Sequence, residues 1–94
     1  MTAEVIRRRI VFYAWVQGVG FRYRARHAAA LYGCTGWARN AWDGSVVMEI
    51  QGTAEQIDSV LLAIQRGAYV RIERMDTSTL PVVAAERGFD TNEG

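Results

Sequence analysis

Between Val16 and Arg22 the chain reads Val-Gln-Gly-Val-Gly-Phe-Arg, and these residue types at this spacing suit the binding of an oxyanion. Gly18 and Gly20 let successive backbone N–H groups turn into one concavity, and a helix starting behind them adds unpaired amide donors and a positive dipole end. Arg22 falls in the first turn of that helix, where the dipole disfavours a cation. Bidentate pairing with two phosphate oxygens is a physical reason to place a guanidinium there. Spacing alone leaves the plainer alternative open, in which the glycines only make a turn and Arg22 is solvated. The dinucleotide-binding fingerprint fails, because Tyr23 occupies the third glycine position. A second candidate is Asn40, just ahead of Asp43-Gly44. An asparagine near a turn either bonds its own backbone or is left available for function.

Composition removes most competing chemistries. The chain has 94 residues and eleven basic side chains, all of them arginine. Without lysine there is no Schiff base, no lysine nucleophile and no Gly-Lys-Ser/Thr phosphate loop. One histidine, His27, and one cysteine, Cys34, exclude an internal disulfide and any zinc site built from several His and Cys ligands of one chain. Half the residues are hydrophobic and 22% are charged, which excludes a disordered segment. No apolar run approaches the ~20 residues needed to span a membrane. The arginines at the N-terminus sit within a short apolar stretch and no signal-peptide pattern accompanies them, so the expected location is cytoplasmic. The formal charge of +1 is unevenly spread: residues 1–26 carry six arginines against Glu4, while the remainder carries five against nine acids. An anion is drawn to the first segment.

These residues must be positioned by six elements in one domain spanning 1–94. Residues 5–15 read as a strand and residues 21–32 as a helix, in which Phe21, Ala25, Ala28, Ala29 and Tyr32 recur at helical spacing before Gly33. Residues 35–42 and 45–51 flank Asp43-Gly44, a strong hairpin signal. Val46, Met48 and Ile50 share one face of the second strand, with Val47, Glu49 and Gln51 on the other. A two-residue turn at Asp43-Gly44 pairs Asn40 with Val47 and puts it on the Glu49 and Gln51 face; a longer turn shifts that pairing. Thr53 and Gln56 form a capping-box pattern ahead of the apolar stripe Ile57, Val60, Leu61 and Ile64, with Gly67 as the stop. Residues 69–75 and 82–89 read as two further strands, the second weakened by Pro81 and Gly88. The order strand, helix, strand, strand, helix, strand is that of an α+β, ferredoxin-like split βαβ plate: an antiparallel sheet of four to five strands with two helices on one face. Residues 90–94 are expected to be frayed.

Residues 16–22, VQGVGFR, and the segment Gly36-Trp37-Ala38-Arg39-Asn40-Ala41-Trp42-Asp43-Gly44-Ser45-Val46 resemble the two signatures of the acylphosphatase family. They occur in that family's order and separation, and the resemblance extends over roughly residues 5–75. It implies metal-free hydrolysis of a carboxyl phosphate mixed anhydride to carboxylate and orthophosphate, with no cofactor. Arg22 matches the family's catalytic arginine. Asn40 matches the asparagine whose amide orients the attacking water. Gln17, Gly18, Val19, Gly20 and Phe21 match the loop whose backbone amides, with Arg22, hold the phosphate. The implied partner is a small acyl phosphate, with no nucleic acid or membrane, and the implied state is a monomer. Ala14 and Trp15 depart from the glycine and basic or small residue usual before the loop.

Such chemistry asks for charge stabilisation and positioning rather than covalent catalysis, since an acyl phosphate already has a good leaving group. Two alternatives share the plate: a phosphate-binding domain without turnover, and an RNA-binding module. The second is disfavoured by near-neutral charge and by a GVGFRY segment lying before a helix rather than within a strand. His27 reads as a helix-surface residue and Cys34 as a small buried side chain. Arg7, Arg8 and Arg9 read as a solvated strand edge or a device against edge pairing in preference to a polyanion patch. Trp37 and Trp42 are expected to cover the sheet and hairpin.

Overall fold

Strand β1, Val5–Val16, is built from β-branched and aromatic residues whose alternation gives it two different faces. Ile10 and Phe12 are fully buried on one side, while Arg9 is exposed on the other. The computed structural model describes residues 3–16, 20–66 and 70–91. After β1 come α1 (Gly20–Tyr32), β2 (Thr35–Asn40), β3 (Val46–Thr53), α2 (Ala54–Gln65), β4 (Val70–Leu80) and β5 (Phe89–Asp90). The sheet order is β4-β1-β3-β2-β5. Each strand-helix-strand unit therefore encloses a strand of the other, the split arrangement expected from the element order.

Four strands pair antiparallel, but β5 runs parallel to β2, so the sheet is mixed rather than wholly antiparallel. The expected strand over residues 82–89 is absent. Residues 81–88 are irregular, and only Phe89 and Asp90 pair. The run Val82-Val83-Ala84-Ala85 has no period of two, Pro81 offers no N–H, and Ala85 adopts φ 61°. Strand β4 takes up the length instead and continues to Leu80, well past Met75.

Both helices lie on one face. α1 packs above β2 and β5, and α2 above β3 and β4. Phe21, Ala25, Ala28 and Ala29 of α1 and Ile57, Val60 and Ile64 of α2 close over Ile10, Phe12, Met48 and Ile50. The capping box forms as expected: Gln56 N–H donates to Thr53 Oγ1 at 3.2 Å, and Thr53 N–H donates to Gln56 Oε1 at 2.9 Å. α1 ends at Gly33, with Cys34 N–H donating to the Ala29 carbonyl at 2.9 Å. No helix among the described residues is long and apolar enough to cross a membrane.

The three consecutive arginines do not line an edge. β1 is an interior strand, hydrogen-bonded to β3 and β4, so its Arg7 is 2% exposed. Glu86, carried across the sheet by residues 81–88, accepts from both Arg7 Nη atoms at 2.8 and 3.1 Å. Glu49 Oε1 accepts from Nε at 2.9 Å, and Gln51 Oε1 from Nη1 at 3.1 Å. Gln51 also grips the crossing segment, donating to the Val83 carbonyl at 2.9 Å and accepting from Val83 N–H at 2.8 Å. Arg8, on the helix-facing side, pairs with Asp58 at 3.5 Å. Trp42 is 99% exposed at the hairpin tip and covers nothing, whereas Trp37 is half-buried with Arg39 over its ring at 5.2 Å.

Burial pushes the Glu86 carboxyl up, but hydrogen bonds from Arg7 and Thr35 and the Arg7 charge outweigh it and hold the carboxyl below its ordinary value. A lowered folded-state value contributes stability that is complete above the unfolded glutamate range, about 4.3, and is lost as the pH falls through the folded value. Arg7→Met, which leaves Glu49 and Glu86 without their cation, is expected to lower the urea unfolding free energy by about 3 kcal/mol at neutral pH. Glu86→Gln is expected to flatten the acid limb of the stability curve below about pH 4.3 in the same measurement.

Candidate active site

Gly20, Phe21 and Arg22 open α1, and one apolar contact sets where that helix begins. Phe21 is buried, and its ring meets Phe12 edge-on, with centroids 4.8 Å apart and planes at 62°. With Phe21 directed inward, Arg22 is turned about 100° round the helix and is only half-buried. Its Nη1 donates to the carbonyl of Thr91 at 3.1 Å. Thr91 follows β5, which lies beside β2, so the guanidinium reaches over the β2 and β5 side of the sheet.

Asn40 is the last residue of β2 and stands opposite Val46. Val46 in turn stands opposite Phe12 of β1. Phe12, Val46 and Asn40 thus form one row across three adjacent strands, on the face that carries the helices and at the end where α1 starts. Arg22 and Asn40 arrive at the same end of the sheet from two separate motifs.

The pairing of Asn40 with Val47, and its place on the Glu49 and Gln51 face, are corrected by this register. The turn is longer than two residues. Ala41 N–H donates to the Ser45 carbonyl at 2.8 Å and Gly44 N–H to the Ala41 carbonyl at 3.1 Å, leaving Trp42, Asp43 and Gly44 as the loop. Gly44 has φ +91°, while Asp43 is not in the positive-φ region that a two-residue turn of the primed type requires. Asp43 instead accepts from the Ser45 N–H at 3.0 Å and hydroxyl at 2.6 Å, and these bonds hold its carboxyl below its ordinary value. The one-residue shift moves Asn40 to the opposite face.

Gln17, Gly18 and Val19 lie outside the described residues. Gly20 and Phe21 begin α1, and because the Phe21 side chain is in the core, only its backbone N–H is placed to serve a cradle. The N–H groups of a first helical turn have no partner within the helix. A depression of about 210 Å³ beside Arg22 is lined by Arg22, Tyr23, Arg26 and Thr91. A larger one, about 370 Å³, lies at β4 against Gln65, Ile72, Glu73, Arg74 and Met75; it contains neither motif.

Arg22 with helix-terminal amides offers positive charge and directed donors to an anion, and Asn40 adds a neutral amide with one acceptor and two donors. Among the described residues no three His, Cys, Asp or Glu side chains gather as metal ligands would. Cys34 is buried at the other end of α1, and desolvation pushes its thiol up to about 11, which suits a packed side chain rather than a nucleophile. His27 is exposed and stacks with Tyr23 at 6.1 Å between centroids. Thr91 escaped the sequence reading because a backbone carbonyl has no residue-type signature, and a two-residue strand leaves no periodic one.

The family profile for acylphosphatase matches residues 8–91. The chain belongs to the acylphosphatase family. It is similar to an acylphosphatase of Clostridium beijerinckii, 34% identical over 86 residues, covering 90% of this chain and 96% of that protein. An acylphosphatase of Clostridium perfringens is 35% identical over 88 residues, with 93% and 99% covered. The crystal structure of acylphosphatase from Bacillus subtilis superposes with a TM-score of 0.82 at 25% identity, covering 93% of this chain and 98% of that one. The protein is thus an acylphosphatase-family enzyme with the family's α+β, ferredoxin-like fold.

Gly36, in the second acylphosphatase-like motif, has a backbone reason to be glycine. Its φ is +138°, and a Cβ there would lie 1.9 Å from the Glu49 carbonyl oxygen. Gly36→Ala is expected to separate β2 from β3, lowering stability by more than about 2 kcal/mol and displacing Asn40. Thermal unfolding and the amide spectrum of residues 36–40 read both effects.

Proposed function

We propose that this protein hydrolyses the carboxyl-phosphate bond of small acyl phosphates. Arg22 and the amides of residues 17–21 bind the phosphoryl oxygens, and Asn40 orients the attacking water. The observation that carries this reading is the convergence of Arg22 and Asn40 at the start of α1, through the row Phe12, Val46 and Asn40 and the contact of Phe12 with Phe21.

In the reaction a water oxygen bonds to phosphorus as the bond from phosphorus to the acyl oxygen breaks. The acyl phosphate dianion and water give a carboxylate and dihydrogen phosphate, so atoms and charge balance. The departing carboxylate is a stable anion and needs no protonation. The water's proton passes to a phosphoryl oxygen, so no general base of ordinary strength is required near Asn40. Charge on the equatorial oxygens is met by the fixed guanidinium, which the Thr91 carbonyl holds in place. Water, phosphorus and leaving oxygen are kept in line by the two motifs together. The protein is proposed to act as a cytoplasmic monomer without metal or organic cofactor.

A base-stacking RNA module is not favoured, because its sheet face must be open. Here residues 81–88 cross that face, Tyr13 lies under Arg74 at 4.3 Å, and Trp37 lies under Arg39. Hydrolysis of benzoyl phosphate in excess chelator tests the reading. Arg22→Gln is expected to lose phosphate binding and turnover together. Asn40→Ala is expected to retain inorganic phosphate binding by calorimetry while turnover falls about 100-fold or more. Comparable activity in both variants and the native protein contradicts the assignment.

A further inference from the structure

The depression beside Arg22 has a second cation that phosphate binding does not use. Arg26 lies four residues after Arg22, one turn along the same side of α1 and about 6 Å further along its axis. Both line the depression, with Tyr23 and Thr91, the residue after β5, completing its wall. Resting on the hydrolase reading above, we infer that this depression receives the acyl group and that Arg26 selects acyl phosphates bearing a second carboxylate.

The first argument is connectivity. The acyl group is joined to phosphorus through one oxygen, so a phosphate held by Arg22 places its acyl portion against whatever surrounds that guanidinium. The second is charge. The first two turns of α1 carry Arg22, Arg24 and Arg26, and there is no acid in the first turn. Like charges four residues apart repel, and cations near a helix N-terminus oppose the dipole. Among the described residues Arg26 has no acidic partner, in contrast to Arg7, Arg8, Arg39 and Arg74. A ligand with two anionic groups relieves both repulsions.

The third argument is shape. The Tyr23 ring is exposed and forms one wall of the depression, with the His27 ring stacked 6.1 Å away. It offers an apolar face to the carbon skeleton between the two anions. A planar guanidinium beyond it takes a carboxylate bidentately. The fitted substrate is therefore the monoacyl phosphate of a compact dicarboxylic acid.

The test compares 3-carboxybenzoyl phosphate with its methyl ester, which has the same skeleton without the second charge. For the native enzyme kcat/KM is expected to favour the carboxylate by roughly fivefold or more, with the preference fading at high salt. Arg26→Gln is expected to bring the ratio to near one. Arg24→Gln removes the same charge from an exposed position outside the depression and is expected to leave the ratio intact. A native ratio of one or below overturns the inference, as does a ratio that Arg26→Gln does not change. An equal loss in Arg24→Gln also overturns it, because the effect is then the general field of α1. Failure to hydrolyse either compound overturns the hydrolase reading and this inference with it.

Discussion

The edge-on contact between Phe21 and Phe12 is the joint on which the molecule depends. It fixes the first turn of α1 to the middle of the sheet, and it does so with fully buried rings that pack in one way. Phe12 is flanked by β3 and β4 and lies in one row with Val46 and Asn40. An arginine that follows Phe21 in sequence and an asparagine that ends β2 are thereby referred to the same rigid element. The chemistry proposed here is carried by positioning, so precision in this joint matters more than any perturbed acid or base.

The opposite face of β1 solves a different problem. An interior strand with an arginine on its non-helical side must bury that charge or leave the sheet uncovered. The crossing segment supplies Glu86 to Arg7, and Gln51 holds the segment's backbone. A buried charge cluster of this kind adds little net stability over apolar packing, but it accepts only one arrangement of the segment. The segment in turn delivers Phe89 and Asp90 to β2, and Thr91 to Arg22. Arg7 thus acts at a distance on the opposite side of the sheet, through the route it imposes on the chain.

The interior parts of this fold were legible because periodicity and caps report burial directly. Val46, Met48 and Ile50 alternate as read, and Thr53 with Gln56 caps α2 as read. Arg22 at the head of α1 was legible for the same reason, since a buried Phe21 marks the register of the helix. The face of Asn40 was not, because it hangs on whether Asp43 adopts positive φ or bonds Ser45, a choice of small energy that shifts the register by one residue. The irregular path of residues 81–88 is not legible, because apolar content alone does not make a strand. Their path is dictated by Gln51 and Arg7, whose partners lie far away in sequence. No local signal says which strand is interior, so the sequence alone does not place the three arginines of β1 away from an edge.

The interleaving of the two strand-helix-strand units also governs how the chain acquires this structure. Strand β1 occupies the middle of the sheet, but its first partner, β3, arrives only after a helix and another strand, and β4 only after a further helix. No hairpin of neighbouring strands can complete the sheet's centre, so loop closure must precede its formation. The pairing of β1 with β3 and β4 joins segments remote in sequence, a topology that folds more slowly than a sheet of successive hairpins.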